Sequence, residues 1–288
     1  METILVTGAN GLVGSAIVKK LEGSGYSVLK IARAHDNDSY VCDLSQISCA
    51  ELSKLTPDFD VIVHTAALIP RSRGDDNNEL YDTNTRIDQL IYQLSEMKRA
   101  RIIYISTCGL YKHNSSICDE SSELDIHSYY FRSKCQGEQI FGNTGRATIA
   151  RISSPFGDGM NNGVVISKFI DQAIGAHQIN IWGRGDRAQN FVHVDDIAEF
   201  VKVAISSDLS EVYNVTADTS TTMKDLALVI QSLVSDCTIK YTETTSESEA
   251  VEFKYCNEKA RKQMGWQPKK SLKDGLLEII KNQDHLLS

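Results

Sequence analysis

The chain opens with Thr3-Ile4-Leu5-Val6-Thr7-Gly8-Ala9-Asn10-Gly11-Leu12-Val13-Gly14. Residues 3–7 are apolar or β-branched, as a short buried strand requires, and a helical pattern takes over across 11–22 with Leu12, Val13, Ala16, Ile17 and Leu21 available for one face. Glycines stand at the junction with a spacing of three and three. Where side chains are missing, backbone N–H groups can approach a pyrophosphate, and the start of the helix adds partial positive charge. The context, strand before and helix after, is what gives a glycine-rich stretch this meaning. Gly8, Asn10, Gly11, Leu12 and Gly14 are therefore candidate phosphate-turn residues.

Outward from this unit the same alternation continues. Residues 26–32, 61–64, 102–106 and 148–152 read as strands, and 84–98 and 133–141 as helices between them. Buried β-branched strands alternating with helices predict a parallel sheet covered on both faces, doubly wound by right-handed crossovers. The second half is less regular. Residues 157–163 and 183–187 read as glycine-rich loops, and 164–176, 222–234 and 271–283 as helices. A further helix is expected from about Asp196, and 242–249 reads as an exposed loop. The expected division is a dinucleotide-binding domain over 1–155, to which segments near 188–205 return, and a smaller C-terminal α/β substrate lobe over 156–288.

Composition narrows the class of function. The 288 residues carry 30 Lys and Arg against 38 Asp and Glu, a formal charge of −8, which argues against a nucleic-acid binder. A hydrophobic content of 41% with 24% charged residues is that of a folded globular chain rather than a disordered one. No run approaches the roughly 18–20 apolar residues of a membrane span, so no membrane association is expected. The N-terminus lacks the basic start and cleavage site of a signal peptide. The seven cysteines are odd in number and include no C-x-x-C pair, so neither a metal site nor a disulfide framework is expected and a reducing cytoplasm fits best.

In a dinucleotide site the end of the second strand selects the cofactor, since a carboxylate there accepts from the ribose hydroxyls of NAD. Here Ala32 is followed by Arg33, which suits the 2′-phosphate of NADP, while Asp36 a few residues on keeps NAD open. Asp43, with Leu44 beside it, follows another strand-like run and suits either an adenine contact or a helix N-cap. Further on, Tyr130-Phe131-Arg132-Ser133-Lys134 puts a phenol and an ammonium four apart, on one helix face. A nearby cation is expected to lower the phenol's pKa and fit Tyr130 for proton exchange during hydride transfer. Thr107, in Ile105-Ser106-Thr107-Cys108-Gly109-Leu110-Tyr111, falls at the carboxyl end of a strand, where open α/β sheets bind ligands. Its hydroxyl could hold a substrate oxygen between Tyr130 and a nicotinamide.

Together these motifs resemble an extended short-chain dehydrogenase/reductase of the nucleotide-sugar epimerase/dehydratase type, a Rossmann fold. The resemblance covers nearly the whole chain. It includes the glycine turn, Asp60-Val61-Ile62-Val63-His64-Thr65-Ala66-Ala67, Tyr81-Asp82-Thr83-Asn84, the Ser106 and Tyr130 motifs, residues 151–157, and Phe191-Val192-His193-Val194-Asp195-Asp196. It implies a catalytic triad of Thr107, Tyr130 as acid/base and Lys134, with Tyr130 and Lys134 also contacting the cofactor and Lys134 holding the nicotinamide ribose. It further implies Ala66 and Ala67 along the cofactor, and a homodimer paired through the helices that begin near Asn84 and Ser133. Ser154 stands where many members have an asparagine that contacts the substrate diphosphate, and Arg187 is a second candidate contact.

The chain also departs from the pattern. An Arg-Asp pair normally precedes the Phe; here the pair is Gln189-Asn190, so a sugar-nucleotide diphosphate loses one charge-assisted contact unless Arg184 or Arg187 supplies it. Cys108 and Gly109 replace the Asp-Glu pair that the resembling 4,6-dehydratases use for elimination. The expected activity is NADP-dependent reduction of a 4-keto nucleotide sugar. The alternatives are an epimerase with tightly bound NAD and a non-catalytic NADP-binding regulator; retention of both Tyr130 and Lys134 speaks against the regulator. For His64 and His193 the reading is local packing and hydrogen bonding rather than catalysis.

Overall fold

The computed structural model describes residues 2–33, 39–112, 117–242 and 253–287. Strand β1 (Thr3–Thr7) runs into α1 (Leu12–Gly23), and β2 (Ser27–Ala32) and β3 (Ser39–Val41) follow. Helix α2 (Cys49–Leu55) leads to β4 (Val61–His64), α3 (Asn78–Lys98) to β5 (Arg101–Thr107), and α4 (Tyr129–Gly142) to β6 (Ala147–Ile152). The chain then leaves for a smaller lobe through β7 (Ser154–Phe156), α5 (Val165–Ala176), β8 (Gln178–Trp182), β9 (Ala188–Gln189) and β10 (Phe191–His193). It returns through α6 (Val194–Ile205) and β11 (Val212–Val215). Then come β12 (Thr221–Thr222), α7 (Met223–Gln231), β13 (Thr238–Thr242), α8 (Glu258–Met264) and α9 (Leu272–Leu287).

The main sheet has seven strands in the order β11-β6-β5-β4-β1-β2-β3, and every pairing in it is parallel. It is a Rossmann-type doubly wound sheet, as the alternation predicts. Alternate residues of one strand feed opposite cores. Ile4, Val6 and Val63 face α1 and α6 with Ile17, Leu21, Phe200 and Trp266. Leu5 and Ile62 face the other side with Ile91, Leu94, Tyr104 and Phe141. Ile17 and Leu21 are fully buried, and each such side chain contributes about 1.5–3 kcal/mol. The sheet order reverses direction between β1 and β4, which opens a crevice beyond their carboxyl ends.

Two helices start earlier than hydrophobic periodicity predicts, because side-chain caps decide their starts. Asn77 accepts from Leu80 N at 3.1 Å, so α3 begins at Asn78 rather than near 84. Ser128 accepts from Phe131 N at 3.1 Å and Asp76 from Tyr130 N at 2.8 Å, so α4 begins at Tyr129 rather than at 133. Tyr130 therefore sits in the first turn of its helix. Likewise α6 begins at Val194, with Asp195 and Asp196 in its first turn, where carboxylates favour the helix dipole.

The lobe has its own core, in which Phe156, Ile170, Ile179, Leu226, Ile230 and Leu276 meet. Its strands form three two-stranded pairs, β10 with β7, β12 with β9, and β13 with β8. Thr242 closes β13, and the rest of the expected exposed loop over 242–249 lies outside the described residues, as does Asp36. No helix among the described residues is long and apolar enough to cross a membrane.

Candidate active site

The turn after β1 is built by contact, not only by flexibility. Gly8 has φ of +68°, and Gly11 N donates to its carbonyl at 2.9 Å. A Cβ on Gly8 would lie 2.7 Å from Thr65 Oγ1 and 2.9 Å from Ala66 N, and one on Gly14 would collide with the Gly8 carbonyl. Helix α1 therefore seats directly on the turn. Its N-cap, Gly11, provides no side-chain hydrogen bond, and its first turn holds no acidic residue. That is a cradle suited to a pyrophosphate, and the residues fit a dinucleotide. Asn10 and Gly11 are exposed and Leu12 is half-buried at its rim. Gly14→Ala is expected to destabilise by about 1–3 kcal/mol through overpacking. It should also abolish the rise in melting temperature that NADPH or NADH gives the parent protein, readable in a thermal melt with and without cofactor.

At the far end of the crevice, Arg33 is exposed just after β2. Asp43 is also exposed, and the Arg33 charge reaches it: hydrogen bonds from Ser45, with a smaller contribution from Arg33, hold its carboxyl below the usual range. Asp43 Oδ1 accepts from Ser45 N at 2.9 Å and Ser45 Oγ at 2.7 Å, so it closes a local turn. It caps no helix, because Ser48 caps α2. Leu44 beside it is buried. Ala66 and Ala67 follow β4 and are half-buried. Asn84 on α3 pins this segment, accepting from Leu68 N at 2.7 Å and donating to Leu68 O at 3.0 Å.

Thr107 closes β5, and Tyr130 and Lys134 stand one turn apart on α4. Thr107 Oγ1 accepts from Gly109 N at 3.0 Å, which leaves the hydroxyl proton as the group that can reach a ligand. A Cβ on Gly109 would lie 2.6 Å from the Phe131 ring and 3.3 Å from Thr107 Oγ1, so the first turn of α4 packs against the end of β5. Lys134 is 4% exposed, and its Nζ donates to Ile105 O at 2.9 Å and lies 4.6 Å from the centre of the Tyr104 ring. Burial pulls this ammonium below the usual lysine range, while Asp88 and Glu138 oppose that pull.

The expectation that Lys134 lowers the Tyr130 pKa is not met. Burial pushes the phenol well above its ordinary value and Asp88 pushes the same way, while the Lys134 ammonium is engaged below it with Ile105 and Tyr104. A phenol so placed keeps its proton at neutral pH, as suits a proton donor. His64 and His193 behave as read. His193 Nδ1 accepts from Asp195 N at 3.2 Å and its ring packs edge-on to Phe156; His64 bonds Thr7 and Asp88 within the core.

In the lobe, Ser154 on β7 is half-buried and accepts from Gln189 Nε2. Asn190 is buried and holds Ala217, accepting from its N and donating to its O. The Gln189-Asn190 pair thus ties β7 and β9 to the segment after β11 through neutral hydrogen bonds. Of the two candidate cations nearby, Arg184 pairs with Asp186 at 2.8 Å, which leaves exposed Arg187, two residues before Gln189, as the better-placed one. Sequence reasoning missed two contributors here. Asp76 caps α4 at Tyr130, and Asp88 lies behind Lys134; both come from the α3 region, and only packing reveals either.

The phosphate cradle at the sheet's reversal point is that of an α/β enzyme built around a dinucleotide. The chain belongs to the NAD-dependent epimerase/dehydratase family, whose sequence model matches residues 4–216. It is 25% identical to a dTDP-4-dehydro-6-deoxy-D-allose reductase from a Streptomyces species, across 68% of this chain and 70% of the relative. It is 22% identical to the UDP-glucose 4-epimerase of Mycolicibacterium smegmatis, across 96% of both chains. Its fold matches the crystal structure of the UDP-N-acetylglucosamine 4-epimerase from Bacillus cereus with a TM-score of 0.88 at 20% identity, covering 99% of this chain and 100% of that one.

Proposed function

We propose that the protein is an NADP-dependent reductase of a 4-keto nucleotide sugar. Thr107 holds the ketone oxygen, Tyr130 donates the proton to it, and Lys134 seats the nicotinamide ribose. The cofactor supplies the hydride. Ser154 and Arg187 face the diphosphate. The observation that carries the cofactor choice is Arg33, an exposed cation immediately after β2, at the position that meets the adenosine ribose. Tyr130 supports the direction of reaction, because burial holds its proton on. Similarity to the Streptomyces reductase accords with this reading.

The test is NADPH oxidation with UDP- and dTDP-linked 4-keto-6-deoxyhexoses, each made in place by a 4,6-dehydratase. Stoichiometric oxidation is the expected result. Interconversion of UDP-glucose and UDP-galactose with bound NAD and no net oxidation would establish the second reading, an epimerase, which the near full-length match to the Mycolicibacterium enzyme favours. Arg33→Ser is expected to weaken NADPH by about 10- to 100-fold and to leave NADH unchanged, since one charge-assisted contact to the 2′-phosphate contributes roughly 1.5–3 kcal/mol. Fluorescence titration of the two cofactors measures it. Pairing of two copies through α3 and α4 is the expected assembly, by the family resemblance.

A further inference from the structure

Behind Lys134 lies a buried polar chain that the proposed chemistry does not use. Asp88, on α3 and 3% exposed, accepts from His64 Nε2 at 2.9 Å and from the Tyr104 hydroxyl at 3.1 Å. His64, fully buried on β4, has its Nδ1 2.6 Å from Thr7 Oγ1. Burial pulls this imidazole below its usual value, so it is neutral. With a carboxylate at Nε2 the hydrogen sits there, and Nδ1 accepts from the Thr7 hydroxyl. Thr7 Oγ1 accepts in turn from Ala66 N at 3.4 Å. Each donor in the chain therefore points toward Asp88. Gly137 on α4 lets the helix close onto this group, since a Cβ there would collide with both Asp88 Oδ2 and the Tyr104 hydroxyl.

The charged and titratable groups around Lys134 come from five elements. They are Asp88 on α3, His64 on β4, Tyr104 on β5, Tyr130 and Glu138 on α4, and Arg151 on β6. Glu138 is matched by Arg151, which donates to it from Nε at 2.9 Å and from Nη2 at 2.7 Å. The hydrogen-bond donors to Asp88 among the described residues are the neutral His64 and Tyr104. Of the two carboxylates, Asp88 is the one whose charge is left to face the ammonium.

We propose that Asp88 is a positioning residue for the cofactor: it supplies the counter-charge of the Lys134 ammonium through the Tyr104 seat, and it locks the Thr7–Ala66 wall of the crevice through His64. This rests on the reading that Lys134 holds the nicotinamide ribose. The test needs no sugar substrate. NADPH and NADH are titrated by fluorescence against the parent protein, Asp88→Asn and Lys134→Gln from about pH 6 to about pH 10, the range over which a buried lysine sheds its proton. Parent affinity is expected to fall when Lys134 deprotonates, and Lys134→Gln to bind weakly with a flat profile. Asp88→Asn is expected to lose affinity at a pH lower by about one unit or more, for both cofactors.

A uniform loss for Asp88→Asn, with its pH profile parallel to the parent's, would mean a purely structural role and overturn the proposal. If Asp88→Asn does not fold, Tyr104→Phe decides. It keeps the carboxylate and removes one donor from it, so the fall should move to higher pH; no movement, or movement downward, overturns the proposal. Turnover of Tyr130→Phe separates this from the proposed reaction: retained turnover removes the reductase mechanism without touching the cofactor result. A parent profile that Lys134→Gln leaves unaltered removes the ribose-holding role and this proposal with it, as does failure of both cofactors to bind.

Discussion

Tyr130→Phe is expected to lower kcat by about 10²–10⁴-fold, the usual contribution of a positioned acid or base, with NADPH affinity little changed. The ring stays because its packing is apolar, beside Phe131 with ring centroids 5.8 Å apart, and only the proton is removed. The pH dependence of the parent enzyme sharpens the role. Burial raises the phenol's pKa above its ordinary value. A proton donor with a raised pKa works across neutral pH, and at saturating cofactor the reduction step slows as the pH rises through that value. In the reverse, oxidising direction the phenol must first lose its proton, so the rate should climb with pH. A parent enzyme that reduces its ketone faster as the pH rises through neutrality would contradict Tyr130 as the donor.

The second large effect concerns stability. Glu138 and Arg151 are 8% and 5% exposed and meet in a two-pronged ion pair. Ser106 Oγ donates at 2.5 Å to Glu138 Oε1, the oxygen that also accepts from Arg151 Nε. Arg151 Nη1 reaches the Tyr111 hydroxyl at 3.0 Å, which donates to Asn214 Oδ1 at 2.6 Å. Asn214 Nδ2 then holds the carbonyls of Cys118 and Cys256, at 3.2 and 2.9 Å. Arg151→Met would leave the buried Glu138 charge uncompensated, with only the Ser106 hydroxyl donating to it, and about 3–5 kcal/mol of stability should be lost. At roughly 2–4 °C per kcal/mol in a protein of this class, the melting temperature should drop by about 6–20 °C. Replacing both residues, Glu138→Leu with Arg151→Met, should restore much of it, because a matched apolar pair strands no charge. A double variant as unstable as the single one would show that the pair's value lies elsewhere in the network.

The sequence made plain what rests on local patterns. The strand, turn and helix of residues 3–23 combine alternation, glycine spacing and a 3.6-residue period, and they appear where expected. Tyr130 and Lys134 stood out as candidates through their spacing of four, and Thr107 through its place at the end of a buried strand. Strands β7, β9, β10 and β12 were not, since two or three residues carry no period and their pairing depends on partners up to 37 positions away, as in Phe191 with Ser154. The starts of α3 and α4 were misplaced because the deciding groups, Asn77, Ser128 and Asp76, are polar caps outside the apolar pattern. Asp88 was unreadable for a different reason. On a helix it resembles any solvated acid, and only the meeting of α3 with β4, β5 and α4 buries it. The sign of the Tyr130 shift followed the same logic, as spacing gave the lysine's nearness but not the desolvation that outweighs it.

Strand β11 has a consequence for how the molecule can be divided. It pairs Val212 with Ile149 and Val215 with Ile152, sealing the outer edge of the sheet, although the whole of β7 to α6 lies between the two strands in sequence. A fragment ending after β6 would carry the phosphate turn and all three candidate catalytic residues. It would also present the wholly buried backbone of β6 as an open edge, the kind of surface on which chains pair with one another. The two lobes are therefore interlaced rather than strung in series. Exchanging the smaller lobe for that of a relative would mean transplanting two segments at once, one between β6 and α6 and one after β11, because Phe156 and Ile170 from the first share a core with Leu226 and Leu276 from the second.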